Sequence, residues 1–182
     1  PIKSTYLIKR ADFVACHNPA YMTKFNMVQE LVDGGTFLLN CTWSKDEVEK
    51  HIPGQVKKYM AEHNIKFYII NGVKIGIETG MGPTRINTIL QSAFFTLTGI
   101  IPKEQANKLM KDAAQKTYGR KGEDVVKKNW AAIDAGANAF EEVEVKKEWA
   151  NCADEGLEFK TKTVGRADAL DFVNNIQNYV SA

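Results

Sequence analysis

Residues 35–71 read GTFLLNCTWSKDEVEKHIPGQVKKYMAEHNIKFYIIN, and this stretch decides the fold. It opens with the apolar run GTFLLNC at 35–41 and closes with the apolar run IKFYIIN at 65–71. Both runs are short and rich in β-branched and aromatic residues, which is typical of buried strands. Between them, Ser44 and Glu47 form the capping-box pattern that starts a helix, and a second helical segment follows from residue 54. This order favours parallel strands joined by a right-handed crossover.

The alternation extends toward the N-terminus. The apolar run DFVACH at 12–17 predicts another strand, and STYLIK at 4–9 is a candidate for one more. Between residues 19 and 35, apolar residues recur at helical spacing before two glycines, which are a good helix stop. We therefore predict a helix whose apolar face is formed by Met22, Phe25, Val28, Leu31 and Val32 and which ends at Gly34 and Gly35.

After residue 71 the pattern changes from strands to helices. We predict helices at 83–98, from about 103 and from about 122, and the segment 71–80 also looks helical. Residues from 141 mix charges without clear periodicity, so we expect an extended arm before a last short helix at 168–182. The sequence predicts a three-layer α/β/α fold, with a largely parallel sheet and a helix-rich second half.

The turn GMGPTR at 80–85 raises the question of a phosphate-binding loop. Glycines before a helix let an anion approach exposed amides, and Gly80 and Gly82 stand in that place. The third glycine of the dinucleotide pattern and the lysine of the P-loop are both missing, so a plain helix start with Pro83 at its first position is favoured. The polar stripe beyond it includes Arg85, Asn87 and Gln91 and ends at Phe95, which suggests a contact outside the domain or an ordinary solvated face.

Polar residues follow each of the three predicted strands. Ligands bind beyond the carboxyl ends of parallel strands, and these ends carry His17, Asn18, Asn40, Thr42 and Asn71. Asparagine can donate and accept hydrogen bonds to a polar ligand without a charge. Asparagine is also common in turns and caps after strands, so both roles stay open.

Metal binding and covalent catalysis are not favoured. Cys16, His17 and Cys41 could lie close together, but zinc sites normally show close ligand pairs such as C-x-x-C. His51 and His63 lie on helices that look exposed, and the G-x-S-x-G pattern of a serine nucleophile is absent from the sequence. We therefore predict neither a metal ligand nor a catalytic residue in this chain.

Composition predicts a single globular domain with at most a tail. The chain has 182 residues, of which 44% are hydrophobic and 25% charged, and its net charge of +2 gives no indication of nucleic-acid or membrane binding. Three cysteines without framework spacing fit a reducing compartment. No apolar run approaches a membrane span, and the start lacks a signal peptide, so we expect a cytoplasmic protein. Pro1 in place of a methionine fits a piece of a longer chain or a processed start.

Four stretches carry a family resemblance, in order and at the right spacing. They are KSTYLIKRADFVACHNPAY at 3–21, GGTFLLNCTWSKDEVEKHIP at 34–53, IKFYIINGVKIGIETGMGPTRINTILQSAFF at 65–95 and KTYGRKGEDVVKKNWAAIDAG at 116–136. Together they resemble the gamma-type domain of single-chain pyruvate:ferredoxin or flavodoxin oxidoreductases. The resemblance implies that residues 1–145 form a gamma-type domain that lacks its N-terminal part. It also implies that residues 146–182 form an arm and the start of a linker domain.

The resemblance implies a role for the parent enzyme. Such an enzyme oxidatively decarboxylates pyruvate on thiamine diphosphate with Mg, passes electrons through [4Fe-4S] clusters to ferredoxin or flavodoxin, and forms acetyl-coenzyme A. It also implies a homodimer, with cofactor sites in other domains of the same chain. This segment alone is expected to be inactive and to bind none of these cofactors by itself. In particular, its three cysteines are too few for a [4Fe-4S] cluster, which takes four thiolates. The resemblance places coenzyme A or inter-domain contacts at the strand-end residues and the GMGPTRIN turn.

Two alternatives stay open. The chain could be a separate gamma subunit of a multi-chain 2-oxoacid oxidoreductase, or a noncatalytic module that binds a ligand or docks other subunits. The irregular charged arm from residue 141 favours a polypeptide that runs on into further domains.

Overall fold

The structure is a computed structural model that describes residues 8–157. Its centre is a four-stranded sheet in the order β1-β2-β3-β4, with β1 at Ala11–Cys16, β2 at Leu31–Asn40, β3 at Lys66–Ile70 and β4 at Glu141–Val143. The first three strands are parallel, and β4 pairs antiparallel with β3. The largely parallel α/β sheet predicted from residues 35–71 is confirmed.

Within residues 8–157, six α-helices connect and cover the strands. They are α1 at Lys45–Val48, α2 at Gly54–Glu62, α3 at Gly72–Glu78, α4 at Asn87–Thr98, α5 at Lys103–Tyr118 and α6 at Glu123–Gly136. Short 3₁₀ turns occupy Pro19–Tyr21, Glu49–His51, Gly119–Lys121 and Lys147–Asn151. Helix α1 begins after Ser44, whose backbone N–H donates to the Glu47 carboxylate at 3.2 Å, as the capping box predicts. No helix within residues 8–157 is long and apolar enough to cross a membrane.

Alternate side chains of β2 reach the two faces of the sheet. Phe37 and Leu39 are fully buried on one face with Val56 and Met60 of α2. Leu38 is fully buried on the other face with residues of α3, α4 and α6. A strand covered on both faces reads as a continuous apolar run, because neither side meets water. This is the three-layer arrangement that the sequence predicts.

The helix predicted over 19–35 is wrong. Only a 3₁₀ turn forms at its start, and Leu31 and Val32 belong to β2 instead. Met22 and Val28 are fully buried. These apolar residues therefore belong to the core, as predicted, although the backbone around them is not helical. Pairing of Leu31 with Ala11 on β1 supplies backbone hydrogen bonds that extend β2 backward. A helix period read over one short window does not account for this non-local pairing.

Two further expectations for the second half are also wrong. Helix α4 begins at Asn87, so Gly82 and Pro83 lie in a turn and do not cap it. Strands do not stop after residue 71, because β4 adds an edge strand at 141–143. The arm beyond β4 packs on the domain through Trp149, which is 3% exposed. Residues 8 and 9 form no strand, while the rest of the candidate strand at 4–9 and the last helix at 168–182 lie outside the described residues.

Candidate functional site

The carboxyl ends of the three parallel strands meet at one edge, and Asn40 ties them together. Its Nδ2 donates to the backbone oxygen of His17 after β1 at 2.9 Å. Its Oδ1 accepts from the backbone N–H of Gly72 after β3 at 2.9 Å. Asn40 is 5% exposed; its bond to Gly72 is buried and its bond to His17 is partly buried. These contacts make Asn40 a brace between three segments, which leaves its amide little capacity for a ligand.

The other two strand-end asparagines cap turns and helices. The Oδ1 of Asn18 accepts from the Ala20 N–H at 3.0 Å and caps the 3₁₀ turn. The Oδ1 of Asn71 accepts from the Lys74 N–H at 2.9 Å and caps α3. Both contacts are the local role that asparagine commonly has after a strand.

A cleft of about 380 Å³ opens beside Asn71, between the end of β3, helix α3 and the residues that lead into β4. Its lining contains Trp43, Lys74 and Phe140, none of which was predicted as a site residue. Trp43 stacks on His51 with ring centroids 4.1 Å apart, so that histidine is held by an aromatic face. His17 and Thr42 lie exposed near the same strand ends.

The two cysteines at this edge are inert by environment. Burial raises the pKa of the Cys16 thiol to about 11, and the thiol donates to the Asn18 oxygen at 3.1 Å. Burial also raises the pKa of Cys41. Both thiols are protonated at neutral pH, whereas a cysteine nucleophile reacts as the thiolate. Among residues 8–157, no group of three or more His, Cys, Asp and Glu side chains could hold a metal ion.

The GMGPTR turn closes on the helix that precedes it. Gly80 and Gly82 have positive φ angles of 72° and 91°, which explains why glycine stands at both positions. The N–H of Gly82 donates to the backbone oxygen of Gly76 at 2.8 Å. That amide is therefore used within the fold and is not available to an anion. The turn is better described as the connection between α3 and α4 than as a phosphate cradle.

The predicted site residues fall into two groups. The strand-end group lies at the start of α3, and the other follows its end. A seven-residue helix spans roughly 10 Å at 1.5 Å per residue, so α3 separates Asn71 from Gly80 by about that length. The second group contains Gly80, Gly82, Arg85, Asn87 and Gln91. The chain then returns, because the side chain of Ile86 would lie 3.3 Å from a Cβ placed on Gly72 at the start of α3. A site that includes residues of both groups stays a prediction.

The polar stripe of α4 borders two adjoining depressions. A cleft of about 310 Å³ is lined by Arg85 and Asn87 and by Tyr118 and Lys121 from across the helix pair. A groove of about 340 Å³ between α4 and α5 is lined by Gln91 and Phe95. Thr88 and Tyr118 border both. We call these depressions the basic cleft and the apolar groove.

The lining residues that were not predicted from the sequence include Tyr118, Lys121 and Asn129. Asn129 lines the apolar groove and is 1% exposed. It occupies a position on the buried face of α6 between Val126 and Ile133. A polar residue at a core position of an apolar helical stripe was the available signal. Lys121 is the last residue of the 3₁₀ turn Gly119–Lys121 and carried no comparable signal.

Relatives of known name match most of the chain. The family model for pyruvate ferredoxin/flavodoxin oxidoreductase matches residues 1–139. The pyruvate:ferredoxin oxidoreductase of Moorella thermoacetica is 44% identical over 155 residues, which cover 85% of this chain and 13% of that protein. The pyruvate-flavodoxin oxidoreductase of Klebsiella pneumoniae is 43% identical over 150 residues, covering 82% and 13%. The pyruvate dehydrogenase (NADP+) of Cryptosporidium parvum is 40% identical over 173 residues, covering 92% and 9%.

The chain spans between 9% and 13% of the length of these relatives. A solved structure, the pyruvate oxidoreductase subunit PORC from Thermotoga maritima, superposes with a TM-score of 0.58 and 19% identity, covering 75% of this chain and 67% of that one. At this identity the likeness concerns the fold alone. The family model and the sequence relatives confirm the resemblance noted from the four stretches: the chain belongs to the pyruvate ferredoxin/flavodoxin oxidoreductase family.

Proposed function

We propose that this chain is the gamma-type domain of a longer enzyme that oxidatively decarboxylates pyruvate, forms acetyl-coenzyme A and passes the electrons to ferredoxin or flavodoxin. The observation that carries the proposal is the 44% identity to a pyruvate:ferredoxin oxidoreductase of which the chain covers only 13%. Relatives named for ferredoxin, flavodoxin and NADP+ match it at similar identity, from 40% to 44%.

In this proposal the domain supplies scaffold and contacts, and other domains of the same chain supply the redox chemistry. The chain does not fit a [4Fe-4S] cluster by itself, because it contains three cysteines and such a cluster takes four thiolates. We assign thiamine diphosphate, Mg and the clusters to the rest of a cytoplasmic, homodimeric parent enzyme. We assign residues 1–145 to the domain and 146–182 to an arm and the start of a linker, with Trp149 docking the arm on α2.

The basic cleft is the best place for a coenzyme A or inter-domain contact. Arg85 and Lys121 are both exposed there and give it a positive charge, while Asn87 adds an uncharged donor and acceptor. Arginine matches the geometry of phosphate oxygens, and coenzyme A carries phosphates at one end. The strand-end edge is the weaker candidate, since Asn18, Asn40 and Asn71 already bond within the fold.

The coenzyme A contact is tested by Arg85→Ala in the full-length enzyme. Loss of one charge-assisted hydrogen bond of about 1.4 kcal/mol should raise the apparent KM for coenzyme A about tenfold, with the KM for pyruvate unchanged. Arg10→Ala is the matched control, because Arg10 is also exposed but lines a different cleft. An unchanged KM for coenzyme A would contradict the proposed contact and would leave the enzyme assignment intact. Absence of pyruvate oxidation by the wild-type enzyme would remove the assignment itself.

A separate gamma subunit is the second candidate. It is favoured by the likeness of fold to a Thermotoga maritima protein described as a subunit, of which the chain covers 67%. An antibody against this chain distinguishes the two on a blot of cell extract. A band several times 20.4 kDa supports the single-chain enzyme. A band near 20.4 kDa supports a free subunit or a noncatalytic binding module.

A further inference from the structure

Two aromatic rings stand exposed on the loop that follows β1. Tyr21 is 44% exposed and Phe25 is 54% exposed, and their ring centroids lie 5.8 Å apart in an edge-to-face arrangement. The backbone N–H of Phe25 donates to the Tyr21 oxygen at 2.9 Å, and Met22 between them is fully buried in the core. The loop therefore holds both rings in place. We call Tyr21 and Phe25 the aromatic pair, an apolar patch of the kind on which another segment packs.

The arm that follows β4 ends beside this loop. Its 3₁₀ turn at Lys147–Asn151 packs on α2, and farther along the arm the Glu155 oxygen accepts from the backbone N–H of Gln55 at 3.4 Å. A cleft of about 460 Å³ is lined by Gly156 from the arm and by Thr23 from the loop. Thr23 is two residues from each ring of the aromatic pair, so its Cα lies within about 8 Å of theirs. The arm therefore carries the chain across α2 to the aromatic pair.

The chain continues beyond the arm with residues 158–182. From Leu157 to Asp168 an extended chain spans up to about 36 Å, so the helix that the sequence predicts at 168–182 can reach the aromatic pair. Apolar residues recur at helical spacing on one side of that predicted helix: Phe172, Val173, Ile176, Tyr179 and Val180. A short helix with one apolar side gains most of its stability by packing that side against an apolar surface.

We propose that the apolar side of residues 168–182 packs on the aromatic pair, so that the segment after the arm covers the loop that follows β1. Charge supports the same occupant. Lys24 lies between the two rings in sequence and Lys50 lines the adjoining cleft, and both are exposed. Asp168 and Asp171 of the predicted helix carry the opposite charge. The inference does not rest on the proposed oxidoreductase role, because it uses only contacts within this chain.

The first experiment is site-specific photo-crosslinking in the full-length protein. Benzoylphenylalanine replaces Phe25, the protein is irradiated, and crosslinked peptides are identified by mass spectrometry. We expect crosslinks to a peptide from 168–182 of the same chain. The matched control places the same group at Ile100, which is 67% exposed beyond the end of α4 on the other face of the sheet, and it should give no crosslink to 168–182.

The second experiment measures amide hydrogen exchange across 168–182. Phe25→Asp should speed this exchange roughly tenfold, because the segment loses an apolar contact that holds it closed. Ile100→Asp introduces the same charge at the control position and should leave the exchange unchanged. Circular dichroism checks that both variants fold, and if Phe25→Asp does not, the crosslinking result decides.

Three results would overturn the proposal. The first is a crosslink from position 25 to another part of the protein, or the absence of any crosslink. The second is a crosslink to 168–182 of a second copy, which a mixture of isotope-labelled and unlabelled protein reveals by mass. The third is exchange in 168–182 that a folded Phe25→Asp variant leaves unchanged. None of these results bears on pyruvate oxidation, so the proposal fails separately from the enzyme assignment.

Discussion

Replacing Asn40 by alanine should destabilise the fold more than any single capping residue, because Asn40 joins three segments. The change removes the acceptor of the buried Gly72 N–H and the donor to the His17 oxygen, both at 2.9 Å. An unsatisfied buried N–H costs about 1–3 kcal/mol, and the partly buried bond to His17 adds about 0.5–1.5 kcal/mol. We expect the free energy of unfolding to fall by roughly 2–4 kcal/mol.

The assay is equilibrium urea unfolding of the 182-residue chain, followed by tryptophan fluorescence. The slope of the unfolding free energy against urea concentration should stay unchanged. Such a result shows that the variant has lost stability without a change in the surface that unfolding exposes. Asn71→Ala is the matched control, since its Oδ1 accepts one exposed bond and its loss should cost about 1 kcal/mol. A loss at Asn40 below about 1 kcal/mol, or no larger than the control, would refute the bracing role.

Three further predictions use other contacts. Trp149→Ala should lower the free energy of unfolding by about 3–5 kcal/mol, because the ring is only 3% exposed. A loss under about 1 kcal/mol would mean that the arm does not pack on the rest of the domain. At pH 8, iodoacetamide should label half-buried Cys152 well before buried Cys16, whose thiol stays protonated, and equal rates by peptide mass spectrometry would contradict that assignment. Gly76→Ala should lower the free energy of unfolding by urea by about 1–3 kcal/mol, because the new Cβ would clash with the backbone oxygen of Gly82 in the following turn. Gly119→Ala should change it little and serves as the control.

The candidate site was only partly predictable. Strand ends and their asparagines could be read from the sequence, because a strand end and a cap are local features. The role of Asn40 could not be predicted, because its hydrogen bonds join it to residues far away in the sequence. His17 lies 23 residues before it and Gly72 lies 32 residues after it. The apolar groove was missed because its walls come from α4 and α5 and Asn129 comes from α6. Each helix taken alone shows only an ordinary amphipathic pattern.

The sequence by itself determined the α/β class, the strands at 35–41 and 65–71, and the helices α2, α5 and α6. The strands follow from short apolar runs rich in β-branched and aromatic residues, and the helices follow from apolar residues that repeat over a window long enough to fix the period. Only the tertiary structure decided that Leu31 belongs to a strand and that three residues at 141–143 form β4. In both cases the backbone hydrogen bonds come from a partner far along the chain, Ala11 for Leu31 and β3 for β4. Pairing energy of that kind is absent from any local window, so it can override the local pattern.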